Sequence, residues 1–152
     1  MDIFLLHLRI LDRILEKKII TLSQILNITE NQHAVLSAGF CDDYCLSLFN
    51  GMNKEKQKLI DTVNEYDRVF EKTYRRISPV FEDEAPGHAG PLIRMQENIK
   101  KATALDVRIR VQEARNHASR PTQKKTPDNK TIRKKIARIY EKNKTLSKQP
   151  PG

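Results

Sequence analysis

The 152-residue chain has no tryptophan, only five glycines and only two cysteines. A β-sandwich or barrel needs many turn residues, so the scarcity of glycine argues against both and favours long helices, each with one apolar stripe. Cys41 and Cys45 lie four residues apart, and no further cysteine is present to complete a zinc site. They are expected to pack as small apolar residues on one helix face. The composition predicts an all-α protein with a thin core.

Signatures of catalysis and metal binding are also missing. The four histidines are scattered, and none has another histidine or a cysteine three or four residues away, as convergent metal ligands would. There is no glycine-rich phosphate loop and no nucleophile elbow. The acids Glu82, Asp83 and Glu84 are interpreted as a solvated turn. We therefore predict no enzymatic activity, no cofactor and no metal site.

The apolar start of the chain predicts neither a signal peptide nor a membrane span. No basic segment precedes it, and Asp2, His7, Arg9 and Asp12 interrupt the apolar run. A cytoplasmic protein without membrane insertion is expected.

The excess positive charge is confined to the end of the chain. Residues 1–78 carry 11 basic and 11 acidic residues, residues 79–118 carry 6 of each, and residues 119–152 carry 11 basic and 2 acidic residues. The formal net charge of +9 thus belongs to the last 34 residues. The sequence predicts a neutral body over 1–118, a flexible linker over 119–130 and a basic C-terminal helix and tail over 131–152.

Two long amphipathic helices are predicted in the body. From Ile3 to about Ala38, apolar residues recur at helical spacing, with Ile10, Ile14 and Leu26 beside the main stripe. That stripe contains Phe4, Leu8, Leu11, Leu15, Leu22 and Ile25. Gly39 is expected to end this helix, and Asp42 or Asp43 to cap the next. The short connection predicts an antiparallel hairpin.

The second helix shows a sustained heptad pattern. Its rungs follow intervals of three and four: Leu46, Phe49, Asn53, Lys56, Ile60, Val63, Asp67, Phe70, Tyr74 and Ile77. Three of these rungs are polar, and a polar rung can fix the register of a helix pair. Lys56 has a second interpretation, in which its stem lies along the seam and its amine reaches water.

A third helix is predicted after the segment SPVFEDEAPGHAGP, which has the composition of an exposed loop. Pro91 suits the first position of that helix. The helical rungs run from Leu92 to Asn116 and become polar in their second half. The first half is therefore expected to pack on the hairpin, and the second half to face water or a partner.

The segment KTIRKKIARIYEK at 130–142 predicts a short basic amphipathic helix. Ile132, Ile136, Ile139 and Tyr140 share about 100° of its circumference, and basic residues occupy the rest. The segment could dock on the body, bind a protein partner or bind nucleic acid. Apart from Tyr140 it lacks aromatics that would stack on bases, and the body has no second basic face, so nucleic acid ranks third.

The order of these parts resembles the FlgN-like and FliT-like helical hairpin chaperones of flagellar type III export. The resemblance covers most of residues 5–118 as a pattern and rests mainly on LSAGFCDDY and MNKEKQKLID. It implies a long antiparallel helical hairpin with a third packed helix and a short C-terminal basic amphipathic helix. It also implies a cytoplasmic chaperone that holds hook-associated, filament-junction subunits before secretion.

By this resemblance the C-terminal segments of those subunits are the partners, with the export apparatus as a further candidate. The implied partner-binding residues are Ile109, Ile132, Ile136, Ile139 and Tyr140. The long linker and the strongly basic tail match no motif of the family. The sequence leaves open whether the chain is a monomer or a dimer, and it leaves two alternative functions. One is a self-associating coiled-coil structural protein, and the other is a nucleic-acid-binding protein that uses the basic tail.

Overall fold

The computed structural model describes residues 2–38 and 42–118, and within these ranges every element is helical and no strand occurs. Helix α1 spans Ile3–Ser37, α2 spans Asp43–Ile77 and α4 spans Ala89–Ala118. Between α2 and α4 lie a 3₁₀ turn at Ser78–Val80, the short helix α3 at Phe81–Glu84 and a second 3₁₀ turn at Ala85–His88. The all-α prediction is confirmed for these residues. The predicted linker and C-terminal basic helix lie outside them.

The chain divides into two compact units. Of the described residues, the first contains 2–23 and 62–106, and the second contains 24–38, 42–61 and 107–118. Each long helix contributes a segment to each unit. No helix in the described ranges is long and apolar enough to cross a membrane.

The first unit has an apolar core built on the predicted stripe of α1. One cluster joins α1, α2 and α4 through Phe4, Leu8, Leu11, Leu15, Ile77 and Met95. Ile10, predicted to lie beside the stripe, is 40% exposed. The helical periodicity therefore predicted the buried face of α1 in this unit correctly. The predicted face was too wide only on the side of Ile10.

Polar contacts within the first unit show the direction of its helices. Lys18 Nζ lies 2.6 Å from Asp67 Oδ1, while Phe4 packs in one cluster with Ile77, so α1 and α2 run in opposite directions here. Asn98 Nδ2 donates to Asp12 Oδ1 at 2.6 Å. This bond joins the first unit's segments of α1 and α4.

Two rungs of the heptad pattern in the second half of α2 lie off the buried face, although the last rung, Ile77, is buried. Thr73 is 9% exposed, whereas the predicted rung Tyr74 is 37% exposed, and the rung Asp67 is also on the surface. The buried position at this point of α2 is therefore Thr73 and not the predicted rung Tyr74.

The segment after α2 is helical, although an exposed loop was predicted. Pro79 and Pro86 each stand near the start of a 3₁₀ turn, where proline's missing N–H costs no hydrogen bond. Acids fill the first turn of α3, where the helix dipole favours negative charge. Helix α4 then begins at Ala89, so Pro91 is its third residue and not its first.

Aspartates cap both long N-terminal helices. The backbone N–H of Cys45 donates to Asp42 Oδ1 at 3.0 Å, and that of Leu5 donates to Asp2 Oδ1 at 3.0 Å. These bonds satisfy amide groups that have no partner inside the helix. Of the two predicted candidates at the start of α2, Asp42 is the cap.

Candidate functional site

The second unit differs from the first in the polarity of its buried residues. Six of the eleven buried residues described in the second unit are polar or charged, against three of twelve in the first. The six are Thr29, Gln32, Asn53, Lys56, Gln112 and Asn116. A small apolar cluster of Leu36 and Phe49, with Cys45 packed against it, accompanies them. Buried polar groups are costly unless they are hydrogen-bonded, so their partners determine what this region can do.

A chain of hydrogen bonds, which we call the Lys56 chain, joins α2, α1 and α4. Gln32 Nε2 donates to Asn53 Oδ1 at 2.5 Å, and Gln32 Oε1 accepts from Lys56 Nζ at 2.6 Å. Lys56 Nζ also donates to Glu113 Oε1 at 2.5 Å. Each of the three helices therefore contributes at least one member.

Burial lowers the pKa of the Lys56 amine, and the nearby Glu113 carboxylate opposes that change. The Lys56 side chain is 1% exposed, so the predicted alternative in which its amine reaches water is wrong. An amine without solvent access that is engaged by two acceptors cannot meet a substrate. Its role in the described structure is to hold Gln32 and Glu113.

A second polar group, the Asn116 cluster, joins α4 to α1. Asn116 Nδ2 donates to the backbone oxygen of Thr29 at 2.9 Å, and its Oδ1 accepts from Gln112 Nε2 at 3.0 Å. The same oxygen lies 3.0 Å from His33 Nδ1. Asn116 is fully buried, so the prediction that the second half of α4 faces water or a partner through its polar rungs is wrong there.

Ile109 is the one predicted partner-binding residue within the described ranges. It is half-buried in α4, four residues before Glu113 and hence on the same side of the helix. The predicted residues Ile132, Ile136, Ile139 and Tyr140 lie outside the described residues. The Lys56 chain and the Asn116 cluster together form what we call the polar seam. The structure therefore places Ile109 beside the polar seam and leaves the remaining four as predictions.

Sequence reasoning missed the contribution of α1 to this seam. Thr29 and Gln32 continue the α1 stripe after Ile25 at intervals of four and three. Both are buried, and Thr29 Oγ1 also donates to the backbone oxygen of Ile25 at 2.7 Å. Helical spacing applied to polar as well as apolar residues would have found them.

The first unit contains a separate polar pair, formed by His88 and Asp2. His88 Nδ1 faces the backbone oxygen of Glu84 at 2.8 Å, and His88 Nε2 lies 2.6 Å from Asp2 Oδ2. Because both ring nitrogens face acceptors, the Glu84 carbonyl and Asp2 raise the pKa of His88. The Leu5 N–H and His88 lower the pKa of Asp2. Phe4 lies against the imidazole, with ring centroids 4.9 Å apart.

Known proteins give no further identification. No family model, curated protein or solved structure matches the chain. Within the described ranges no group of three or more metal-ligating side chains occurs. The arrangement in the second unit is a seam of paired polar groups between α1, α2 and α4.

Proposed function

We propose that the chain is a cytoplasmic export chaperone that binds flagellar hook-associated subunits before their secretion. In this proposal the body is a long antiparallel helical hairpin with a third packed helix, and a basic C-terminal helix follows residues 119–130. The order of two 35-residue helices and a third long helix supports it. The motifs LSAGFCDDY and MNKEKQKLID support it as well.

The observation that supports the proposal most is the polar seam of the second unit. A buried ion pair with hydrogen-bonded amides orders helices while adding little net stability compared with an apolar core. A satisfied polar network specifies one arrangement of the helices, so in the proposal it keeps the client-binding face ready for another apolar segment. The half-buried Ile109, on the side of α4 that carries Glu113, supplies apolar surface for such a segment.

A client segment that is disordered alone would fold against these helices. Helix-in-groove binding uses apolar anchors at intervals of three and four, as found at Ile132, Ile136 and Ile139. In the proposal these residues and Tyr140 act with Ile109 to hold the client. Ordering the client costs about 2–5 kcal/mol, so the complex can be specific and still release its cargo.

Calorimetric titration of the full-length chain with C-terminal segments of hook-associated subunits tests the proposal. Tight binding is expected for the native chain, and weaker binding for Ile109→Ala, Ile136→Asp and Tyr140→Ala. Ile93→Asp is the matched control, because Ile93 lies on the same helix and is 55% exposed. If no client segment binds, or if all four variants bind as the native chain does, the proposal fails.

The same preparation separates the two alternatives. Mass in solution would reveal a higher-order or filamentous species if the chain were a self-associating coiled-coil protein. Filter binding across salt concentrations would show tight, steeply salt-dependent retention of DNA or RNA if the basic tail were a nucleic-acid arm. Either result would replace the chaperone proposal.

A further inference from the structure

The side of α4 that faces away from the polar seam carries an apolar stripe of its own. Val107, Val111, Ala114 and Ala118 are all exposed, the two valines by 52% and 44%, and they follow one another at intervals of four, three and four. These intervals place them on one face, which we call the outer stripe. At 100° per residue, its centre lies about 170° from Ile109. It is thus a different surface from the one assigned to the client.

Arginines border the outer stripe on both sides. Arg108 and Arg115 follow Val107 and Ala114 on one edge, and Arg110 precedes Val111 on the other; all three side chains are exposed. The acids among residues 106–118 are Glu113, whose carboxylate is bonded to Lys56 on the inner side of the helix, and Asp106, which lies one turn before Arg110. The positive charge along the stripe is therefore carried by the edge with Arg108 and Arg115.

This arrangement matches one side of a two-helix coiled coil. Residues at intervals of three and four form the apolar contact, and the residues that flank them select the partner by charge. Alanine at two of the four positions lets another helix approach closely, since interaxial distance depends on the side chains at the contact. Twelve residues span about 17 Å, long enough for three successive turns of a partner helix.

The charges that flank the outer stripe determine which kind of helix can bind there. A second copy in either orientation would place arginines opposite arginines, and like charges at flanking positions disfavour pairing. The chain's own segment 131–142 carries five basic residues and one acid, so it is disfavoured for the same reason. A helix with aspartate or glutamate at its flanking positions would instead form ion pairs along the edge that carries Arg108 and Arg115.

We propose that the outer stripe of α4 binds an acidic amphipathic helix of another protein, with apolar residues at heptad spacing and carboxylates beside them. This proposal does not rest on the chaperone assignment, because it concerns the opposite face from Ile109. The contact area is small, so binding is transient and weakens as salt screens the ion pairs.

Fluorescence anisotropy of the full-length chain with two synthetic helical peptides tests this. One three-heptad peptide has leucine at the apolar positions and glutamate at the flanking ones, and the other has lysine in place of each glutamate. The native chain is expected to bind the glutamate peptide and not the lysine peptide. Arg108→Glu combined with Arg115→Glu should weaken glutamate-peptide binding by about tenfold and create binding of the lysine peptide.

Two further variants test whether the peptides bind at the outer stripe or respond to any change of charge on α4. Val111→Glu should abolish binding of both peptides, whereas Arg94→Glu, an exposed arginine of α4 in the first unit, should change neither. All substituted side chains are exposed, so circular dichroism should show unchanged helicity. An unchanged peptide preference in the double arginine variant would overturn the proposal.

Other occupants of the stripe are also outcomes of the experiment. If the double arginine variant loses affinity for a short duplex DNA probe while peptide binding stays the same, the arginines serve nucleic acid and the proposal is overturned. If sedimentation shows a dimer of the native chain that Val111→Glu dissociates, the stripe is a self-association surface and the proposal is likewise overturned. A monomer that binds the glutamate peptide supports it.

Discussion

Lys56 Nζ lies 2.5 Å from Glu113 Oε1, and the two side chains differ sharply in exposure, 1% for the lysine and 26% for the glutamate. Removing either partner therefore has unequal consequences. Without Lys56, the Glu113 carboxylate can turn toward water. Without Glu113, the Lys56 ammonium stays buried and donates to a neutral amide, that of Gln32.

Glu113→Leu is expected to lower the free energy of unfolding by about 2–4 kcal/mol, because it leaves a buried charge without its counter-ion. Lys56→Met should lower the free energy of unfolding by less. The double variant Lys56→Met/Glu113→Leu should be more stable than Glu113→Leu alone. Urea unfolding followed by circular dichroism measures all three. Glu71→Leu is the matched control: its pair with Arg75 is exposed, so a change of no more than about 1 kcal/mol is expected. Equal losses at Glu113 and Glu71 would contradict the assigned asymmetry.

The sequence predicted part of this network. The heptad pattern identified Asn53 and Lys56 as polar rungs on a buried face, and both are buried. It did not predict their partners, because hydrogen bonding depends on which helices meet and in what register. Gln32 and Glu113 lie 24 and 57 residues from Lys56 along the chain, and nothing local in the sequence connects them.

The pair formed by His88 and Asp2 should make stability depend on pH. The pKa of His88 is raised in the folded chain, so its contribution is complete below its ordinary value of 6.5 and is lost as pH rises through the raised value. The pKa of Asp2 is lowered, so its contribution is complete above about 3.8 and is lost as pH falls through the lowered value. Between these limits both groups stabilise the fold.

His88→Gln should therefore destabilise the chain more at pH 5.5 than at pH 8.5, as measured by urea unfolding at both values. His7→Gln is the control, since the His7 ring is bonded to the backbone oxygen of Ile3 within its own helix. Asp2→Asn should remove only part of the pH dependence, because the Glu84 carbonyl still faces His88 Nδ1, and it should keep the helix cap, because asparagine caps helices well. A pH profile unchanged by His88→Gln would show that the pair contributes nothing.

The limits of sequence reasoning also appear at the C-terminal end of α2. Helical periodicity gave most of the buried face of α2 but not the burial of Thr73 in place of the predicted rung Tyr74. The composition of 78–91 predicted a loop. Prolines and acids are equally compatible with short helical turns when they stand at helix starts. The candidate site was predicted least well, because the inward side of α4 near Asn116 is polar and was therefore assigned to the surface.

The start of α2 supplies a sharper test of local structure. Asp42→Ala should lower the free energy of unfolding by about 1 kcal/mol, because the Cys45 N–H loses its acceptor. Asp43→Ala should lower the free energy of unfolding by only a few tenths of that amount. Asp43 lies inside the first turn and contributes mainly through the helix dipole. Thermal unfolding of the two variants side by side measures the difference. Equal effects would mean that the cap is not specific to Asp42.

Gly51 lies in the interior of α2 with an exposed backbone, and a Cβ atom added there would meet nothing within 4 Å. Glycine loses more conformational freedom than alanine when it enters a helix, so Gly51→Ala should raise the free energy of unfolding by about 0.5–1 kcal/mol. For a chain of this size, the melting temperature should rise by about 1–4 °C. Gly87→Ala, in a short 3₁₀ turn that is equally open, should give a smaller gain. If Gly51→Ala lowers the melting temperature, the backbone at Gly51 is not the regular helix described, and the heptad register of α2 on either side must be reassigned.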